Sequence, residues 1–131
     1  MGTVRLLPEF RERIQRTASG APDHRVDRQT RKLLNYMFTG TRGGFTRLRI
    51  IMLLLDRPYN THQISQELGL DYKTVQHHLA VMGKNSLVSK TGQRYGVLYH
   101  ISNLLEHNIS ALIEAVDRLE RKAGSRTRYA A

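Results

Sequence analysis

The side chains best suited to specific chemistry in this chain of 131 residues lie together in one short polar stretch. The amide of Gln76 pairs a donor with an acceptor, which matches the adenine edge, and Lys73 can donate to guanine or to a phosphate. Tyr72 and Thr74 suit phosphate or thymine-methyl contacts, and His77 suits either kind of contact. These residue types indicate recognition of a nucleic acid through hydrogen bonds. For each of them the alternative is a merely solvated side chain.

Metal binding and catalysis are not indicated by the remaining candidate residues. The chain has no cysteine, which excludes thiolate metal sites, disulfides and cysteine nucleophiles. His77 and His78 are neighbours that point about 100° apart on a helix, so they cannot easily chelate one ion. The sequence holds no serine-hydrolase, zinc-protease or phosphate-loop motif. We therefore expect no enzyme activity, no metal site and no cofactor.

The charge of the chain favours a polyanionic partner. Lys and Arg number 21 against 11 Asp and Glu, which gives a formal net charge of +10. Nucleic acid is the first partner that this balance indicates and an anionic membrane surface the second, while a basic protein with neither partner is the plain alternative. The longest apolar run, Ile50–Leu55, is too short to span a membrane, and the N-terminus lacks the pattern of a secretory signal. We expect a cytoplasmic protein without a transmembrane segment.

Hydrophobic periodicity and capping residues predict the elements that position these side chains. The predicted helices cover 26–38, 46–55, 62–68 and 72–82, and the predicted strands cover 87–90 and 97–101. Thr46, Thr61 and Asp71 are the expected N-caps. Gly69, which tolerates a left-handed conformation, makes a tight turn between the third and fourth helices. A helix, a tight turn, a second helix and a hairpin are typical of a winged helix-turn-helix, whose second helix enters the DNA major groove.

Basic and polar side chains around this motif are expected to contact the DNA backbone or the minor groove. On the hairpin these are Lys90, Gln93 and Arg94, and at helix starts they are Arg42, Arg47 and Thr61. The alternatives are a mobile hairpin loop in which Arg94 does little, and a solvated Arg47 in a first helical turn.

Four stretches of the sequence, all within residues 41–101, carry a family resemblance. They are TRLRIIMLLLDRP, THQISQELGLDYKTVQHHLAVM, SLVSK and GVLYHI. Together they resemble the winged helix-turn-helix of ArsR-type transcriptional regulators, and most closely archaeal relatives in which TRGGxTR precedes the first helix. The resemblance implies a winged-helix fold and DNA binding. The metal-sensing members bind metal through cysteines, which this chain lacks, so the resemblance does not extend to metal sensing.

A long C-terminal helix is predicted from a cap at Ser102 to about residue 123. Its apolar residues recur at spacings of four and three, the pattern of a heptad seam; they are Leu105, Ile109, Leu112, Val116 and Leu119. We expect this seam to pair with the seam of a second copy. Packing on the chain's own domain, against residues 26–38, is the alternative.

These observations predict a mainly α fold with a small β-hairpin: a winged helix-turn-helix with a preceding helix and a long C-terminal dimerisation helix. The expected organisation is a basic, weakly ordered arm at 1–25, the DNA-binding domain at 26–101, the dimerisation helix at 102–124 and a disordered tail at 125–131. The expected function is that of a homodimeric transcriptional repressor that binds a pseudo-palindromic operator in double-stranded DNA. The alternative is a winged-helix protein-interaction module in a transcription or replication assembly.

Overall fold

The structure, a computed structural model, describes residue 12 and residues 26–130, without the side chains of Tyr95, Leu119 and residues 122–130. The predicted N-terminal arm at 1–25 lies outside the described residues, apart from residue 12. The described elements are α1 (Arg28–Phe38), α2 (Gly44–Asp56), α3 (Thr61–Leu68), α4 (Tyr72–Lys84), β1 (Val88–Thr91), a 3-10 turn (Arg94–Gly96), β2 (Leu98–Ile101), α5 (Asn103–His107) and α6 (Ile109–Ala130). This order confirms the predicted winged helix-turn-helix, mainly α with one hairpin.

The described chain divides into two compact units. Thr46–His107 form one unit, which we call the winged-helix unit, and residues 26–45 with 108–130 form the other, which we call the terminal unit. Within the described residues, no helix has both the length and the apolar character needed to cross a membrane.

The core of the winged-helix unit is built from α2, α3, α4 and the start of the hairpin. Its fully buried side chains are Leu48, Ile50, Ile51, Ile64, Val75, Leu79, Met82 and Leu87. On α4 the buried residues recur four and three positions apart, so they lie on one face of that helix, whereas α2 is buried on more than one side. Burial of this set removes apolar surface from water and leaves the opposite face of α4 exposed.

Helix α3 begins with a reciprocal cap that the sequence analysis placed one residue too late. The side-chain oxygen of Asn60 accepts from the Gln63 backbone N–H at 2.7 Å, and the Gln63 side chain accepts from the Asn60 N–H at 2.9 Å. This capping box satisfies two donors at once, whereas a threonine cap satisfies one. Thr61, the predicted cap, is the first helical residue and is buried.

The turn between α3 and α4 is formed as predicted. Gly69 ends α3 in the left-handed conformation, with φ of 64°, which a side chain would disfavour. Asp71 then starts α4, and its carboxylate accepts from the backbone N–H groups of Lys73 and Thr74. The two caps stand two positions apart, so α4 leaves the turn in a defined direction.

Helix α2 begins two residues earlier than predicted. The N–H of Gly44 donates to the carbonyl of Thr41 at 3.1 Å, which closes a turn ahead of the helix. An added Cβ at Gly44 would collide with the backbone of Phe38, so only glycine fits there. Thr46, the predicted cap, therefore lies inside the first turn of α2.

The hairpin pairs two short antiparallel strands, with Val88 opposite Ile101 and Thr91 opposite Leu98. The segment ahead of α3 joins it: Tyr59 and Tyr99 exchange two backbone hydrogen bonds, at 3.1 and 2.8 Å. The hairpin is therefore held against the start of α3 by main-chain bonds and does not swing freely at that edge.

The predicted long C-terminal helix is two helices. Ser102 caps α5 as predicted, since its hydroxyl accepts from the Leu105 N–H at 3.0 Å, but α5 ends at His107. The carbonyl of the buried Asn108 accepts from the Ala111 N–H in a new first turn, and an asparagine side chain competes for such bonds in a helix interior. Helix α6 then continues to Ala130, so the tail expected at 125–131 is helical through residue 130.

The predicted dimer seam is buried within a single chain. Helix α6 packs against α1, and its Ile109, Leu112 and Val116 are at most 2% exposed. The facing helix α1 buries Leu34, Met37 and Phe38. The structure therefore supports the alternative interpretation, in which the seam packs on residues 26–38, since Ile109, Leu112 and Val116 are buried within the chain. Leu105 lies on α5 in the other unit, and the Leu119 side chain is outside the described part.

An ion pair accompanies this packing. The Arg31 Nε atom lies 3.0 Å from Glu114 Oε2, and its Nη2 donates to Oε1 at 3.4 Å. Both side chains are nearly half exposed, so water and salt screen the pair, which is worth roughly 0–1 kcal/mol. Apolar burial is the main stabilising contribution to the α1–α6 pair.

We predict that Leu112→Ala lowers the free energy of unfolding by about 2–5 kcal/mol, because it removes a fully buried side chain and leaves a cavity. Urea unfolding followed by circular dichroism measures the change. Ser110→Ala, an exposed site on the same helix, should change the stability little. A Leu112→Ala protein that kept its stability and only dissociated into smaller species would restore the seam as an interface between copies.

Candidate nucleic-acid interface

Helix α4 has a buried side and an exposed polar side. Val75, His78, Leu79 and Met82 are buried. All five residues predicted for recognition are exposed on the same helix: Tyr72, Lys73, Thr74, Gln76 and His77. Their side chains are therefore available to a partner, and none is needed for the core.

The cap of α4 decides which groups at its start can be used. The Asp71 carboxylate already accepts from two backbone N–H groups, and it places a negative charge at the positive end of the helix dipole. A phosphate at this helix end would meet that charge. The side chains of Tyr72 and Thr74 therefore remain for contacts, while the backbone donors beneath them are occupied.

An open groove lies within the winged-helix unit, and we call it the wing groove. Its volume is about 340 Å³. It is lined by Asn60, Thr61 and His62 from the start of α3, by Tyr72 and Gln76 from α4, and by Lys90, Arg94, Val97 and Tyr99 from the hairpin. The groove brings together five predicted site residues that stand up to 33 positions apart in the chain, Thr61 to Arg94.

Four lining residues were missed by the sequence analysis. Asn60 and His62 flank the predicted Thr61. The capping pattern of Asn60 with Gln63 could have shown that these residues lie at the start of α3. Val97 and Tyr99 both lie in the second predicted strand, 97–101. Alternation shows that a strand has two faces, but it does not show which face meets α4.

The other predicted contacts are exposed but lie outside the wing groove. Lys73, Thr74 and His77 lie elsewhere on the exposed side of α4, and Gln93 precedes the 3-10 turn. Arg42 is exposed in the turn before α2 and belongs to the terminal unit.

The hairpin tip is a compact turn. Arg94 adopts a left-handed conformation with φ of 52°, and Gly92 has φ of 92°. A Cβ at Gly92 would collide with the carbonyl of Gly96, so the turn closes tightly on itself. Arg94 is exposed in this turn and lines the wing groove.

Arg47 is not at the surface, which corrects its predicted role as a phosphate contact. It is 6% exposed, and its Nη1 lies 3.2 Å from Nδ1 of His78. Because α2 begins at Gly44, Arg47 lies three residues after the start of the helix, and its side chain is buried in the winged-helix unit. An arginine N–H donates, so His78 accepts through Nδ1 and is held as the neutral imidazole.

The surroundings of His78 lower its pKa below 6.5. Burial is the main cause, because it penalises the charged ring, and the positive charges of Arg47 and His77 add to the effect. The folded protein therefore resists protonation of this ring more than the unfolded chain does.

We predict that lowering the pH below about 6.5 destabilises the protein through His78. The unfolded chain takes up a proton that the folded state resists, so the free energy of unfolding is full above that pH and falls as the pH decreases. Urea unfolding between about pH 5 and 8 measures the slope. His78→Gln should flatten it, and the exposed control His62→Gln should not. An equal slope in wild type and His78→Gln would contradict the assignment.

Comparisons with known proteins agree with this geometry. Residues 45–90 match the model of the family described as bacterial regulatory protein, arsR family. The matched range covers nearly all of α2, all of α3 and α4, and most of the first strand. A search of curated proteins finds no significant match.

A solved structure shows the same fold. Reduced HlyU from Vibrio cholerae is similar with a TM-score of 0.52 and 24% sequence identity, over 70% of this chain and 90% of that one. This likeness supports the winged-helix architecture. The family description and this neighbour are bacterial, so the closer likeness to archaeal relatives stays a prediction.

Proposed function

We propose that this protein is a transcriptional regulator that binds double-stranded DNA in a sequence-specific way. The observation that carries the proposal is the exposed polar side of α4, with Lys73 and Gln76 in its first turns, above a fully buried apolar side. The ArsR-type match over residues 45–90 supports it, because that domain belongs to a family of regulatory proteins.

In this proposal α4 lies in the major groove and the hairpin lies beside it. Gln76 donates to and accepts from adenine, and Lys73 donates to guanine or to a neighbouring phosphate. Tyr72, Thr74 and His77 make the adjoining contacts. The basic residues of the hairpin bind the backbone, which sets the position of α4 on the duplex.

The charge of the chain gives the binding its salt dependence. A formal net charge of +10 favours association with DNA, and each phosphate neutralised releases counterions. The affinity is expected to fall linearly, on logarithmic axes, as the salt concentration rises.

The experiment that tests the proposal is selection of bound duplexes from a random pool, followed by titration of the selected sequence. A short consensus bound far more tightly than unrelated DNA supports sequence-specific recognition. Binding of equal strength to every sequence, or none at all, contradicts it. The latter result would favour the alternative of a protein-interaction module.

We further propose that the regulator is a homodimer and a repressor that occludes a promoter. Burial of Ile109, Leu112 and Val116 within the chain favours an interface other than the α6 seam. We propose the exposed side of α1, where Tyr36 is 63% exposed. A two-fold dimer would place two α4 helices about one DNA turn, roughly 34 Å, apart and would select a pseudo-palindromic operator.

We predict that a duplex with two half-sites binds about 10²–10⁴-fold more tightly than a duplex with one, because the second contact becomes intramolecular. Titrations with both duplexes measure the gain, and sedimentation of the free protein gives its oligomeric state. Equal affinity for both duplexes, together with a monomer in solution, would contradict the dimer and leave DNA binding intact.

We predict that Lys73→Ala with Gln76→Ala weakens specific binding by about 1–3 kcal/mol for each lost base contact and broadens the consensus. Fluorescence anisotropy with the selected duplex measures the affinity. Lys84→Ala is the matched control, because it removes the same charge from the last turn of the same helix.

Both variants should unfold like wild type, since all three side chains are exposed. If the double variant keeps the wild-type affinity and consensus, α4 is not the recognition helix. If Lys84→Ala loses as much as the double variant, only general charge is involved.

A further inference from the structure

The wing groove has the chemistry of an anion site. Its lining includes the cations Lys90 and Arg94, the imidazole of His62, the amide of Gln76 and the phenols of Tyr72 and Tyr99. None of the residues that line it carries a carboxylate. In a concave site with low-dielectric walls, charges of one sign concentrate the field and attract an ion of the opposite sign.

The two cations are not neutralised by their own surroundings. Among the described side chains, neither the Lys90 ammonium nor the Arg94 guanidinium forms a salt bridge. The field that they produce in the groove is therefore left for a ligand.

The backbone holds these groups in place. Lys90 and Tyr99 are directly opposite each other in the β1–β2 register, so their side chains share one face of the hairpin. Tyr99 is tied in turn to Tyr59 by two main-chain hydrogen bonds. The tight tip carries Arg94, which also lines the groove. The backbone that carries these donors is thus ordered before any ligand arrives, which lowers the entropic cost of binding.

We propose that the wing groove binds one phosphate group, held by the planar fork of Arg94 and by the Lys90 ammonium. Its volume of about 340 Å³ exceeds what a phosphate fills and leaves room for an attached sugar or base beside Tyr72. The phosphate comes from the DNA backbone or from a free phosphorylated small molecule. The first source rests on the proposed function, whereas the second does not.

Because Gln76 lines the same groove, the two sources exclude each other. A phosphorylated molecule in the groove blocks the face of α4 that is proposed to meet DNA. Such a molecule would release the protein from its operator by direct competition, with no conformational change.

The first arm of the test uses the free protein with inorganic pyrophosphate and with adenosine monophosphate, at constant ionic strength. Calorimetry should show saturable one-to-one binding of at least one probe. Arg94→Gln should weaken it about tenfold or more, since a charged hydrogen-bond pair is lost. Arg118→Gln, at an exposed arginine of α6, should leave it unchanged. Equal melting temperatures of both variants and wild type show that folding is preserved.

The second arm uses the selected duplex with one backbone phosphate at a time replaced by a neutral methylphosphonate. One position should cost wild type about tenfold, and the same position should cost Arg94→Gln clearly less, because only the Lys90 contact is then left to lose. That non-additivity identifies the phosphate that Arg94 holds. A position that weakens wild type and Arg94→Gln equally is not contacted by Arg94.

Binding in the first arm alone assigns the site to a free phosphorylated ligand, and coupling in the second arm alone assigns it to the DNA backbone. Both results together predict that the probe displaces DNA in wild type and fails to do so in Arg94→Gln. Failure of both arms overturns the phosphate site. If wild type binds no DNA, the proposed function fails, and the first arm still decides whether the groove binds phosphate.

Discussion

Burial of one side of α4 is the constraint on which the rest of the winged-helix unit depends. Val75, Leu79 and Met82 leave water together, and this fixes the rotation of the helix about its axis. This rotation determines which of the residues between Val75 and Met82 lie at the edge of the core and which lie on the surface. The exposed polar residues are a consequence of the buried apolar ones. A surface of this kind tolerates exchange of Lys73 or Gln76, and hence a change of binding preference, without loss of the fold.

His78 lies at the edge of the buried side of α4, where a polar side chain has to be accommodated in the core. It follows an exposed residue, His77, and lies in the core beside Arg47. A buried polar pair is stable only when both partners remain satisfied, and here a neutral ring accepts from a permanent cation. The charge state of His78 is thus connected, through its neighbour His77, to the surface proposed for recognition.

The sequence was most informative where the signal was local. Asp71, Gly69 and the spacing of the α4 core residues predicted the turn and both sides of α4, because each acts within a few positions. The N-cap of α3 was assigned to Thr61 and not to Asn60 because asparagine and threonine are both common N-cap residues, so the sequence alone did not separate the two neighbours. The break at Asn108 was hidden because apolar spacing continues across it. No local pattern could place Gln76, Lys90 and Arg94 around one groove, since their proximity is produced by tertiary packing.

The division of the chain into units has a consequence for the order in which the protein folds. The winged-helix unit is one uninterrupted stretch, Thr46–His107, so its internal contacts are expected to form before the chain beyond residue 107 is needed. The pair of α1 and α6 joins residues more than 70 positions apart, such as Arg31 and Glu114, and a flexible loop of that length is costly to close. Prior folding of the intervening unit shortens that loop, so α1 and α6 are expected to pair last, and Leu34 and Phe38 are expected to stay exposed until α6 has been synthesised.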